Sequence, residues 1–506
     1  MRFFGVSAAL LLTATTAASY GSSPRNNTLS ASPSSATAAP STSTSHQSGG
    51  REYVVIFDSA HPEPPHVADV LSRIDLSSNH SDVRYTFNNS AFRGFVANMK
   101  SHCITALNNM TDVAVVEESV SIASTSPMKS RVQSSRRATP STRNSAPWGL
   151  QRISTAATVS GDPDTMDFTY SYDSSALGAG ADIYVVDSGI NTAHAVFGGR
   201  ASMGFSFEQD SSDGDGHGTH VSGTAAGTTF GVTSGANIIG VKVLGSDGSG
   251  SSSATLAGMD WVIQQHDARK TQPGFVGSVM SMSWALQSTS SSVDQAIAAA
   301  VQAGLHVSVA AGNQSSDACL NSPSSSGGSS GPAITVGSIG IGDAISPFSN
   351  TGSCVDVYAP GEDILSAWIG SPQTINVLSG TSMACPHVTG LIAYLMVQNA
   401  SLAASPAAMK SFITATALRG VVSGGAIQGD RHLLANNGIK GQNTGGILGA
   451  SANVAATPTS TPSNYTAVVV GRDVGYGQQT RKRGFLDLGK LASAAASLFG
   501  DGKKAE

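Results

Sequence analysis

Three short blocks of this chain carry side chains able to move a proton or attack a carbonyl. In the first, the apolar run Ile183-Tyr184-Val185-Val186 ends in Asp187-Ser188-Gly189-Ile190. A carboxylate just past a buried strand is held rigidly, although the same pattern also describes a plain turn aspartate before glycine. The second block is Asp215-Gly216-His217-Gly218-Thr219-His220-Val221-Ser222-Gly223-Thr224. Zinc-protease helices use His-Glu-x-x-His, and Gly218 and Thr219 separate this pair, so a metal is the weaker reading. The glycines suit a helix whose first turn approaches another backbone closely, and a neutral imidazole there can act as a general base. The third block is Ser379-Gly380-Thr381-Ser382-Met383-Ala384-Cys385-Pro386-His387-Val388. Gly380 permits a tight entry, and apolar residues through Leu395 continue a buried helix. Ser382 then lies at a helix N-terminus, where unpaired N–H groups and the dipole favour developing negative charge. Alone it would serve equally as a cap. Together, the three blocks describe a nucleophilic hydroxyl, its base and the carboxylate that orients the base.

Secondary-structure elements must hold those blocks in place. From Trp148 to about Asn437 apolar strands alternate with amphipathic helices. Ile183 to Val186, Ile238 to Leu244, Val279 to Met282, Val307 to Ala310 and Val355 to Ala359 read as strands; 254–267, 292–303 and 382–398 read as helices. That alternation implies an α/β fold with a mainly parallel sheet, where ligands gather at the carboxyl ends of the strands. A smaller unit precedes it, with Tyr53 to Phe57, Val83 to Phe87, Phe92 to Ala97 and Val113 to Val116 as strands. Helical spacing from His66 to Ile74 and near 100–108 completes a split βαβ order, an α+β, ferredoxin-like domain of residues 51–123.

The flanks look unlike either domain. Residues 1–18 have the charged, apolar and small-residue order of a secretory signal, placing the protein extracellularly or in a vacuole. Residues 19–50 form a Ser/Thr/Pro-rich linker, 124–143 a polar, basic junction open to proteolysis, 144–437 the larger domain, and 438–506 a low-complexity extension. Charged residues are 12% of the chain, about half the usual share, and the net charge is −5, which gives no footing for nucleic acid. No apolar run reaches the ~18 residues of a membrane span. Four cysteines are too few for a disulfide-dense scaffold.

With Asp, His and Ser in that order, the chain resembles the subtilisin-like serine proteases, and most closely the proteinase K and cerevisin branch. Ala310-Ala311-Gly312-Asn313 and Ala146-Pro147-Trp148-Gly149-Leu150 match that family as well. The resemblance implies a three-layer peptidase domain, with 51–123 as an inhibitory propeptide. Ser382 would be the nucleophile, His217 the base and Asp187 its orienter; the Asn313 amide and the Ser382 N–H would bind the oxyanion. Extended substrate would lie between Gly248-Ser249-Gly250 and Ser283-Trp284-Ala285. Family members usually carry Gly where Ala285 stands, and a large apolar P1 residue is the expectation. The resemblance further implies a Cys319–Cys354 bridge, with Cys103 and Cys385 free. It also implies a structural calcium ion at Asp356, whose carbonyl partners would fall near Gly331 and Ala333; the chemistry itself requires no cofactor.

The expected activity is therefore endopeptidase hydrolysis of protein and peptide substrates by a monomer made as a self-cleaving zymogen. It should rise above pH about 6.5 as His217 loses its proton. An esterase would need a Gly-x-Ser-x-Gly elbow, and the one match, Gly327-Gly328-Ser329-Ser330-Gly331, lies in a Ser/Gly loop. A non-catalytic surface glycoprotein would explain the sequons at Asn26, Asn79, Asn88, Asn109, Asn399 and Asn464, but not the four site residues together. The sequon at Asn313 is read as accidental.

Overall fold

A computed structural model describes residues 50–61, 65–123, 131–134, 143–173 and 177–439. The expected signal, linker and C-terminal extension, and most of the junction, lie outside them.

Residues 51–122 form a four-stranded antiparallel sheet of Arg51–Phe57, Val83–Asn88, Arg93–Met99 and Val113–Glu118, in spatial order second, third, first, fourth. Alternation along the first strand divides its side chains between two cores. Val55 and Phe57 pack with Phe95, Val70, Leu71 and Leu107 beneath the domain's own helices, Val67–Ser72 and Ser101–Asn108. Val54 and Ile56 point the other way, into a cluster with Leu256, Met259, Val293 and Ile297 of the larger domain. A strand buried on both faces has no polar side to show, which accounts for the unbroken run Val54-Val55-Ile56-Phe57.

The larger domain is built on a seven-stranded sheet in spatial order Ala201–Ser206, Asn237–Lys242, Ala181–Asp187, Gly277–Met282, His306–Ala310, Ile334–Ile339, Val357–Pro360. Every neighbouring pair is parallel. The chain first lays two strands on one side of Ala181–Asp187, the outer before the inner, and then crosses to the other side. That strand is therefore the switch point, where a crevice opens at the carboxyl end. Its alternation fills two layers. Ile183 and Val185 join one core with Val221, Val388 and Ile392 from helices His217–Ala226 and Thr381–Gln398. Tyr184 and Val186 join the other with helices Ser252–Arg269 and Ser291–Gln302.

Three elements carried little sequence signal. Ala201–Ser206 is a short, half-exposed edge strand whose Met203 and Phe205 alternate with serine and glycine. Ile334–Ile339 is interrupted by Gly337, where a Cβ would overlap the Tyr358 ring. Pro406–Thr416, capped by Ser405 with proline in its first turn, packs through Met409 and Ile413. Cys319 and Cys354 are bridged, with Cα atoms 5.4 Å apart, while Cys103 and Cys385 are free and buried.

Candidate active site

Asp187 closes its strand fully buried, and its Oδ1 lies 2.8 Å from His217 Nδ1. The same oxygen accepts the Ser188 N–H at 2.8 Å. A tight network holds the two loops together. Ser188 Oγ donates to Asp213 Oδ1 at 2.9 Å and accepts the Gly218 N–H at 2.9 Å. Asp213 also accepts the N–H groups of Gly216 and Thr219 at 2.8 and 2.9 Å, satisfying donors at the start of the His217 helix. The close approach expected of the glycines is met at Gly218, where a Cβ would overlap Gly189 O. Sequence reasoning passed over Ser188 and Asp213; an acid four residues before the helix was the available signal.

Burial pulls the His217 pKa down. The Asp187 carboxylate outweighs it, with help from Asp215 and Asp213, and the imidazole is pushed up to about 9. That is well above the 6.5 expected from an unperturbed histidine. His220 is different in kind. Burial, then the neighbouring His217, push it down to about 3, and its Nε2 lies 2.9 Å from Ile364 O. It is a neutral core histidine that ties the helix to strand Ile364–Ala367.

Ser382 sits in the first turn of Thr381–Gln398, almost fully buried. Its Oγ donates to Ser283 O at 2.9 Å, and His217 Nε2 has no hydrogen-bond partner among the described residues. The serine and histidine are thus not yet joined. Asn313 is pinned through Oδ1, which accepts the Thr381 N–H at 2.8 Å and the Thr381 hydroxyl at 2.9 Å. Its Nδ2 is left facing the helix start. A Cβ at Gly380 would lie 3.3 Å from Asn313 Nδ2 and 3.6 Å from Ser382 N, so both donors flank one point. Gly380 leaves that point open. Cys385, one turn on, contacts Ser281 and Ser308 in the core.

The crevice walls are occupied by the chain itself. Strand Ser121–Ile122 pairs antiparallel with Gly250–Ser251, matching Ile122 to Gly250 and Ser121 to Ser251. On its other side Ile122 bridges Leu286. Ser252 N donates to Val120 O at 2.8 Å and Ser252 Oγ accepts the Val120 N–H at 3.0 Å. Ile122 is buried in a cluster that includes Leu244, Trp284 and Leu286. Among the expected wall residues, Gly248 takes φ +73 in a turn to Gly245, and Ser249 donates to Asp247. Trp284 donates to Val186 O at 3.0 Å, fixing the second wall to the central strand, and Ala285 is buried beside it. Ile122 and Leu286 were missed in the sequence because their roles depend on two distant segments meeting.

The groups expected around calcium do converge, but on a lysine. Lys410 Nζ donates to Gly331 O at 2.7 Å and Ala333 O at 2.5 Å, and lies 3.1 Å from Asp356 Oδ2. Calcium takes six to eight oxygens and cannot share a cradle with an ammonium, so these residues do not fit the ion.

A parallel α/β sheet whose carboxyl ends carry an aspartate–histidine pair and a helix-N-terminal serine is the layout of serine peptidases. Residues 178–468 match the model of the subtilase family of peptidases, and the chain belongs to that family. It is 37% identical over 361 residues to a cuticle-degrading serine protease of Arthrobotrys oligospora, covering 70% of this chain and 80% of that one. It is also 45% identical over 263 residues to the subtilisin-like serine protease Pen c 2 of Penicillium citrinum, covering 50% of this chain but only 56% of the relative. The crystal structure of a cold adapted subtilisin-like serine proteinase superposes with a TM-score of 0.50 at 37% identity, covering 58% of this chain and 98% of that one.

Proposed function

We propose that the protein is a serine endopeptidase made as a zymogen, in which Ser382, His217 and Asp187 cut peptide bonds through an acyl-enzyme. Bound substrate claims the Ser283 carbonyl, and the Ser382 hydroxyl turns to His217 Nε2. Oγ attacks the scissile carbonyl as its proton passes to Nε2, and Asp187 stabilises the imidazolium. The oxyanion lies between Asn313 Nδ2 and the Ser382 N–H, above Gly380. His217 then protonates the leaving amine, and water repeats the sequence to release the acid. No metal enters any step. Specificity is broad enough to accept Thr125 at the precursor's own bond, with large apolar side chains favoured at P1, and the leader sends the precursor into the secretory route.

The observation that carries this reading is Ser121–Ile122, laid between the two walls as substrate would be. In antiparallel register, each step forward along that strand is a step back along both walls. Three residues beyond Ile122, opposite Leu286, an extended substrate reaches Ser283, whose carbonyl holds Ser382 Oγ. Counting gives Thr125, so the first cut is expected at Thr125–Ser126. Ser382→Ala removes the nucleophile and barely changes volume. In a host lacking other processing proteases, the wild-type precursor should yield two fragments, the second beginning at Ser126. The alanine variant should run as one band. Normal processing of that variant defeats the proposal, and a new end after Arg137 would assign the cut to a dibasic-specific protease.

A further inference from the structure

We propose that Lys410 is a tethered cation that takes the place of a calcium ion in this fold and makes the protein's stability independent of calcium. The cradle is complete around the ammonium. Nζ donates to Gly331 O at 2.7 Å and Ala333 O at 2.5 Å, and it is ion-paired with Asp356, whose Oδ2 lies 3.1 Å away. Asp356 is fully enclosed, and its Oδ2 also accepts the N–H groups of Gly328 and Thr335 at 3.1 and 3.0 Å. Its Oδ1 has no hydrogen bond, and Arg431 Nη1 stands 4.0 Å away. Burial lowers the Lys410 pKa and raises that of Asp356, and each group's charge pulls the other back. The pair is ionised, because neutralising either member would strand the other's charge in the interior.

Two oxygens from one loop and the carboxylate at the mouth of strand Val357–Pro360 form the cradle that the Lys410 ammonium fills, with Arg431 at the carboxylate's other oxygen. A divalent ion would have to bind from solution and would leave on dilution or chelation. Lys410 arrives on helix Pro406–Thr416, so its local concentration is fixed by the fold. It stitches that helix to the loop before Ile334–Ile339 and to Asp356, three segments far apart in sequence. Removing the side chain would leave the three oxygens without their cation, and oxygen ligands of this kind, completed by waters, are what calcium takes. The native cradle is therefore a latent calcium site closed by one residue.

Thermal unfolding of the full chain, carried on Ser382→Ala to prevent self-digestion, tests this with calcium and with chelator. The wild-type Tm should be the same in both. Lys410→Ala should unfold about 5–15 °C lower in chelator, the range for a buried charge left unpaired in a domain of this size. It should recover most of that loss in millimolar calcium, and calorimetric titration should show one binding event that Asp356→Asn abolishes. Lys410→Ala with no calcium response overturns the proposal. If that variant folds in neither condition, the wild type decides. A calcium-dependent rise in its Tm that Asp356→Asn removes overturns the proposal, and an unchanged Tm supports it.

Discussion

His217 is expected to set the working pH. On the proposed mechanism only its neutral form takes the Ser382 proton, and in the precursor burial is outweighed by the Asp187 carboxylate, which raises its pKa to about 9. The sign follows directly: kcat/KM should climb close to tenfold per pH unit from about 6 to 8 and level off near 9. Asp215 Oδ2 accepts the His217 N–H at 3.1 Å and helps hold the proton on the ring. Asp215→Asn should therefore move the midpoint of the profile downward. A rate maximum below pH 7 would contradict both statements. Asn313 acts on a different quantity. Its amide gains most when charge develops on the carbonyl oxygen, so Asn313→Ala should lower kcat by roughly 10²–10³ with KM little changed, a magnitude taken from subtilisin, which this family includes. An equal loss spread into KM would place Asn313 in ground-state binding instead.

Helix starts do much of the positioning. Asp213 satisfies the first turn of the His217 helix, Asn313 and Thr381 lock the first turn of the Ser382 helix, and Glu117 meets a third. Glu117 Oε2 accepts the Ser292 N–H at 3.0 Å and the Ser292 hydroxyl at 2.8 Å, while Oε1 accepts the Ser291 N–H at 3.2 Å. It thus joins the small domain to the start of Ser291–Gln302, where the dipole favours a carboxylate. Residues 51–123 added in trans should inhibit the processed enzyme below micromolar concentration. No inhibition at ~10 μM, near −7 kcal/mol, would remove the inhibitory role. Glu117→Ala deletes several charge-assisted bonds, each worth about 1.5–3 kcal/mol, and should raise the inhibition constant at least tenfold. An unchanged constant would make Glu117 a bystander.

Across the whole molecule, the small domain and the peptidase domain share one apolar layer, so the precursor buries the outer faces of Ser252–Arg269 and Ser291–Gln302. Asp260 illustrates the consequence. It accepts from Asn89 Nδ2 at 2.7 Å and from Asn88 N and Tyr85 OH at 3.3 Å, all from the small domain. Within the peptidase domain, Gln264 Nε2 donates to it at 2.9 Å. Loss of the small domain removes three of these four donors and returns Asp260 to water. The small α+β unit ahead of the parallel-sheet unit was legible in the chain because strand and helix patterns resume at 51 and again at 148 after polar stretches. Docking of its sheet on the larger domain was implied by the resemblance, but which side chains dock was not legible, because Val54 and Val55 read alike although they face different cores.

The sequence by itself determined the local parts. Alternation named strands, helical spacing named helices, and the Asp187, His217 and Ser382 blocks offered a carboxylate, a base and a hydroxyl, whereas Asn313 and the assignment of roles rested on the family resemblance. The Cys319–Cys354 bridge and a calcium ion at Asp356 were implied by the same resemblance; the bridge is present, and Lys410 occupies the cradle in which calcium was expected. What only the tertiary structure decided are contacts between segments far apart in sequence: Ser382 Oγ on Ser283 O, Ile122 between Gly250 and Leu286, and Lys410 in the cradle. Lys410 lies 54 residues beyond Asp356 (410 − 356) on a helix with no distinguishing pattern. Local propensity is written in neighbouring residues, whereas which cation reaches a buried carboxylate depends on how whole layers pack.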